Sequence, residues 1–173
     1  IETLQLHAGN SPDTIYVNGV DPEITRMEVN GGGGVDDIEV EQNTVNSNTV
    51  VTQSAGLDNV LVETNSFPGF LRIESPLTLN SLTITNGGRT AVIPGAGTLR
   101  VNSFALSGSG LLNLFENPFI IDYTAGASPF STIRSLITSA YAGGTWLGAG
   151  ITSTSAIPTG NAVGYAEASA IFS

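Results

Sequence analysis

The chain has no cysteine, no lysine and a single histidine. Without cysteine there are no disulfides, no thiolate metal ligands and no cysteine nucleophile. Basic charge is scarce too: five arginines stand against fifteen acidic residues, for a net charge of -10. Such a surface repels phosphate backbones and anionic lipid, which argues against nucleic acid as a partner. No apolar run approaches the ~20 residues of a membrane-spanning helix, and no basic segment leads into an apolar stretch, so membrane insertion is not expected. A chain that opens on Ile1 in place of Met reads as a processed product or a piece of something longer.

What is present favours strands. Only 12% of residues are charged, too few for helices laced with surface ion pairs, while 21 glycines and abundant Ser, Thr and Asn supply turns. A length of 173 residues suits one domain or one solenoid piece.

The solenoid is visible as a repeat. Asp13-Thr14-Ile15-Tyr16-Val17, Asp36-Asp37-Ile38-Glu39-Val40, Asp58-Asn59-Val60-Leu61-Val62, Asn80-Ser81-Leu82-Thr83-Ile84 and Asn102-Ser103-Phe104-Ala105-Leu106 share one pattern. It reads Asp or Asn, small polar, apolar, any residue, apolar. The third positions fall at 15, 38, 60, 82 and 104, steps of 23, 22, 22 and 22. A second series precedes each member: Leu4 and Leu6, Met27 and Val29, Val50 and Val51, Leu71 and Ile73, Val92 and Ile93. Two short strands per coil at a constant period predict an all-β fold, a right-handed parallel β-helix of about five coils of 22 residues. An antiparallel sandwich also uses short strands and turns, but it does not predict an in-register ladder.

Residues 31–39, GGGGVDDIE, fit the nine-residue pattern of calcium-binding β-rolls. Asp13, Asp36 and Asp58 occupy one phase of the repeat, with Asp37 adjacent, so their carboxylates stack at about one strand spacing and repel unless solvated or bridged by a cation. These four residues are the candidate calcium ligands. Against them, the pattern is complete only once, and residues 53–61 keep Gly56, Asp58 and Val60 without the leading glycines. The competing expectation is a flexible glycine turn, with Asx side chains bonding the turn and amides bonding along the stack.

After Gly108 the period decays, leaving apolar residues from Leu111 to Ile121 for one more irregular coil. Phe130, Ile133, Leu136, Ile137, Ala140 and Tyr141 then recur at helical spacing. This predicts a helix over 129–141, with Ser128 as N-cap, Pro129 at N1 and Gly143 as the stop. The division expected is a β-helix over 1–123 and a cap over 124–173 holding that helix and short strands. No similar device precedes the first coil, so Ile1, Leu4, Leu6 and His7 are expected to meet a neighbouring molecule or preceding coils of a longer chain.

The C-terminal third carries Asn117-Pro118-Phe119-Ile120-Ile121-Asp122-Tyr123, Ile133-Arg134-Ser135-Leu136-Ile137, Gly143-Gly144-Thr145-Trp146, Gly148-Ala149-Gly150-Ile151 and Gly164-Tyr165-Ala166-Glu167-Ala168. Over roughly residues 75–173 it resembles the terminal module of large secreted β-helical proteins of planctomycetes and related bacteria, of the autotransporter-associated β-strand repeat type. The resemblance implies a secreted, extracellular or cell-surface protein of structural or adhesive character, and supplies no catalytic residue.

Among activities, β-helical polysaccharide lyases need a strong base near acidic calcium ligands, and hydrolases need paired carboxylates. Arg72 near Glu28 and Glu74 is the nearest approach. The outward centres of the first series, Gln5, Glu28, Val50, Arg72 and Val92, form no such constellation. Trp146 with Tyr141 and Tyr165 offers a sugar-stacking platform, although a lone Trp in a Gly-rich segment more often fills a hole. The expectation is a non-enzymatic scaffold or filament-forming subunit that self-associates, with polysaccharide binding as the alternative and calcium as the only cofactor in view.

Overall fold

The computed structural model describes residues 2–18, 23–41, 48–52, 55–63, 71–123 and 127–168. In chain order its strands are β1 (Glu2–His7), β2 (Thr14–Asn18), β3 (Ile24–Asn30), β4 (Asp37–Glu41), β5 (Asn48–Val51), β6 (Asn59–Glu63) and β7 (Leu71–Ile73). There follow β8 (Leu77–Thr85), β9 (Arg89–Val92), β10 (Leu99–Leu106), β11 (Leu111–Asn113), β12 (Phe119–Ile121), the helix α1 (Phe130–Tyr141) and β13 (Gly150–Thr152). Odd strands form one sheet in the order β1-β3-β5-β7-β9-β11-β13, and even strands form the other, β12-β10-β8-β6-β4-β2. All pairings are parallel. Each coil therefore gives one strand to each sheet, which makes the chain a parallel β-solenoid. Among the described residues no helix is long and apolar enough to cross a membrane.

The even sheet follows the repeat residue for residue. Ile15 pairs with Ile38, Ile38 with Val60, Val60 with Leu82 and Leu82 with Phe104. Ile38, Val60 and Leu82 are buried, and Phe104 packs partly buried against the same core. The second apolar column, Val17, Val40, Val62 and Ile84, is buried beside it. Alternation then sends Tyr16, Glu39, Leu61, Thr83 and Ala105 outward in one row.

The odd sheet departs from expectation in phase. Leu4 pairs with Met27, Met27 with Thr49, Thr49 with Leu71, Leu71 with Thr90, Thr90 with Leu112 and Leu112 with Ile151. Thr49 and Thr90 thus occupy core positions, both fully buried. From Leu71 to Thr90 the step shortens to 19 residues, so Ile73 pairs with Val92 and Arg72 with Ala91. Val92, expected to face outward, points inward instead, and Ala91 takes the outward place in register with Arg72. A shift of one residue in register exchanges the two faces of a strand.

At the far end β11 and β12 form the irregular coil, and β13 adds a seventh strand to the odd sheet alone. The helix starts one residue later than expected. Pro129 holds the N-cap position, although the Ser128 hydroxyl still accepts the Phe130 N–H at 3.1 Å. The left-handed stop begins at Ala142 (φ 45°) and continues through Gly143, where the sequence pointed to Gly143 alone. α1 lies on β13, burying Ile137 and Ala140. The contact depends on Gly150, whose φ is 127° and where a Cβ would stand 2.2 Å from the Leu136 carbonyl oxygen.

Candidate functional site

The glycine-rich corner is a turn stacked on its neighbours, with Gly32 and Gly34 at the positive φ expected of it. The Gly33 N–H donates to the Gly9 carbonyl in the coil before (2.8 Å), and the Ala55 N–H to the Gly32 carbonyl from the coil after (2.9 Å). A Cβ on Gly32, at φ 86°, would stand 1.9 Å from the Gly9 oxygen. Three coils meet too closely here for side chains.

Beside this corner the candidate calcium ligands separate into two environments. Asp13, Asp36 and Asp58 form a ladder in which the Asp13 N–H donates to Asp36 Oδ1 (2.9 Å) and the Asp36 N–H to Asp58 Oδ1 (3.3 Å). Asp13 Oδ2 accepts the Gly9 N–H at 3.0 Å. Asp36 and Asp58 are buried. Asp36 Oδ2 has no hydrogen-bond partner and fills the space a Gly31 Cβ would need, 2.1 Å away. Asp37 leaves the group: it is exposed on β4 and accepts the Asn59 side-chain amide at 2.8 Å. Below Asp58 the ladder changes chemistry, with Asn80 donating to Asn59 Oδ1 (2.9 Å) and Asn102 to Asn80 Oδ1 (3.5 Å).

The carboxylates that converge are others. Glu39 and Glu41 on β4 and Glu63 on β6, all half-buried, place oxygens within 4.8 Å of one another on the outer face of the even sheet. Glu41 accepts the Asn18 side-chain amide, and Glu63 accepts that of Asn86 at 3.4 Å. Sequence reasoning missed this trio because it followed the Asx column. The 22-residue spacing of Glu41 and Glu63 was the available signal.

On the outer face of the odd sheet, Arg26 Nε lies 2.8 Å from Glu28, Arg26 Nη1 lies 2.5 Å from Glu74, and Arg72 Nε lies 3.1 Å from Glu74. Gln5 donates to Glu28 at 2.6 Å. Burial lowers the Arg26 guanidinium's affinity for its proton, but Glu74 and Glu28 outweigh it and hold the group above its ordinary value. The Gln5 hydrogen bond first, then Arg26, holds the Glu28 carboxyl below the usual range. Val50, in register between Glu28 and Arg72, faces out yet is only 2% exposed.

The expected assembly residues sit on the free edge of the odd sheet. Leu4 is 46% exposed, Leu6 is half-buried against the core and His7 is exposed; Ile1 lies outside the described residues. Ile15 and Val17 are already buried, so the first coil is open mainly on the β1 side. The stacking platform does not form. Trp146 is 4% exposed in the core with its ring edge-on to Tyr141 at 5.2 Å, and Tyr165 packs instead on Phe130. Comparison of the chain with protein-family models, with curated proteins and with solved structures gives no match.

Proposed function

We propose that this chain is a non-enzymatic structural module of a secreted, extracellular or cell-surface assembly, used for its rigid column and its free edges. The observation that carries the reading is the use made of outward polar residues. They bond to counterparts one coil away: Gln5 to Glu28, Asn18 to Glu41, Asn59 to Asp37, Ser81 to Asn59, Arg100 to Asp122. Arg72 and Arg26, the arginines beside the acids of the odd sheet, are held in ion pairs by Glu74 and Glu28. Side chains that tie coil to coil stiffen the column along its axis.

Self-association goes through the β1 end. At the other end α1 packs on β13, the last strand of the odd sheet, so that end offers a second copy's first coil no bare coil to match it. Like ends therefore meet, and a two-fold contact of this kind closes as a pair where a head-to-tail contact would grow a filament. Light scattering and electron microscopy of the purified chain should show a dimer of end-on columns that Leu4→Lys returns to monomer. A chain that stays monomeric at high concentration would remove the self-association reading.

Polysaccharide binding is the second reading, with one observation in its favour: Tyr16 is 67% exposed and in register beside Glu39. A glycan-array signal lost in folded Tyr16→Ala would move the conclusion there.

A further inference from the structure

The odd sheet has seven strands and the even sheet six, so the place beside β12 that a seventh even strand would occupy is empty of strand among the described residues. The direction of the β12 backbone groups follows from its pairing. The Leu99 N–H donates to the Pro118 carbonyl and the Asp122 N–H to the Val101 carbonyl. In a parallel ladder successive residues alternate sides, so Ile120 also faces β10 while the N–H and C=O of Phe119 and Ile121 face away. The segment from Ala162 to Ala168 passes nearby but makes no backbone hydrogen bond to them.

That free edge borders a cavity of about 880 Å³, lined by β12, by Phe130, Ile133 and Ile137 of α1, and by the segment around Val163. Four large apolar residues on its walls, Ile120, Tyr123, Phe130 and Tyr165, are each 38% to 40% exposed. A cluster of this kind marks an interaction surface more often than a bare monomer surface. The charged residues lining the cavity are Glu116, Asp122 and Glu167; Asp122 is ion-paired with Arg100 at 2.8 Å, so the net negative charge of the rim comes from Glu116 and Glu167.

We propose that this cavity is a strand-addition site: an extended segment of another polypeptide pairs with the outer edge of β12 as the missing even strand. Main-chain bonds to Phe119 and Ile121 set its direction, the apolar walls take side chains two residues apart, and the acidic rim selects basic residues at its flanks. A second copy of this chain does not supply that segment. Its free even-sheet edges are β2, with the sequence TIYVN, and β12, with the sequence FII, and neither carries a basic residue to meet the acidic rim. The site stands on this geometry independently of the scaffold reading.

The test uses the whole chain and two blocked peptides, Arg-Val-Thr-Val-Thr-Arg and Glu-Val-Thr-Val-Thr-Glu. Calorimetry should give saturable one-to-one binding of the first, weakened by salt, with the second at least tenfold weaker. Amide exchange at Phe119 and Ile121 should slow at least tenfold in the complex. Ile121→Pro deletes an outward N–H without touching the β10 ladder, and should lose binding at least tenfold. Should that variant not fold, Gly164→Trp crowds the mouth from a position where a Cβ meets nothing within 4 Å, and should have the same effect. Absence of binding, equal affinity for both peptides, or binding that leaves exchange at the two amides unchanged would overturn the proposal. So would concentration-dependent protection of those amides without peptide, which would make a second copy the occupant.

Discussion

Thr90 and Thr152 set up the same substitution with opposite signs. Thr90 is fully buried between Leu71 and Leu112, and its Oγ1 has no hydrogen-bond partner. Burying an unpaired hydroxyl costs about 1–3 kcal/mol. Thr90→Val keeps the branched shape and removes that cost, so a gain of about 1–2 kcal/mol is expected. For a chain of this size each kcal/mol moves Tm by about 2–4 °C, so the rise should be roughly 2–8 °C. Thr152 is as deeply buried, but its Oγ1 donates to the Trp146 carbonyl at 2.7 Å. Thr152→Val breaks that bond at a buried site and should cost about 1–3 kcal/mol, lowering Tm. Calorimetric melts with urea unfolding measure both, and an unchanged m-value confirms that the same transition is compared. If Thr90→Val melts at or below the parent temperature, the hydroxyl has a partner in solution and the reasoning about this column is wrong.

Three further outcomes are expected. Gly150→Ala forces a Cβ to within 2.2 Å of the Leu136 oxygen at φ 127°, and should release α1, seen as proteolysis within 130–141 before global unfolding. The Glu167 carboxyl is held below its ordinary value of 4.5, first by the Ser128 hydroxyl and then by Tyr123. Its stabilisation is therefore complete above that value and lost as pH falls through the lower folded-state value; Glu167→Gln should flatten this acid limb of the Tm profile, and an unaltered limb would show that the contact does not form. Adding calcium to chelated protein should leave Tm unchanged, because the buried aspartates already accept backbone amides; a rise of several degrees abolished by Asp36→Asn would make Asp36 Oδ2 a ligand.

The even sheet was legible because its period stays at 22 or 23 residues and its apolar and polar positions alternate from β2 to β10. The odd sheet was only partly so. Thr49 and Thr90 hide core positions behind a hydroxyl, and the 19-residue step after Leu71 turns Val92 inward, which no local pattern reveals. Trp146 was read correctly as core filling because a Gly-rich segment gives it no rigid platform. The Glu39, Glu41 and Glu63 trio was written in the spacing yet overlooked, since glutamates on an exposed face resemble ordinary solubilising charge. The cavity beside β12 could not be read at all. It depends on where the chain travels after β13, a segment with neither strand alternation nor helical spacing.

The change from aspartate to asparagine along one corner has a physical reason. A carboxylate only accepts, so a stack of aspartates must draw donors from the backbone, and the N–H groups of Asp13 and Asp36 provide them within the ladder. The stack ends at Asp13, where the Gly9 N–H is the donor. An asparagine both gives and takes, so Asn80 and Asn102 bond side chain to side chain and leave the backbone free for the sheet. Hydrogen bonds to a charged acceptor are worth about 1.5–3 kcal/mol against about 1 for neutral pairs, which offsets part of the cost of burying the acids. The corner acids are therefore spent on holding coils together. The acidic character presented to other molecules comes from groups outside the ladder: Asp37, Glu39, Glu41 and Glu63 on the even sheet, and Glu116 and Glu167 around the cavity. That field repels anions and draws in cationic segments, and the cavity beside β12 joins such a rim to an unpaired strand edge.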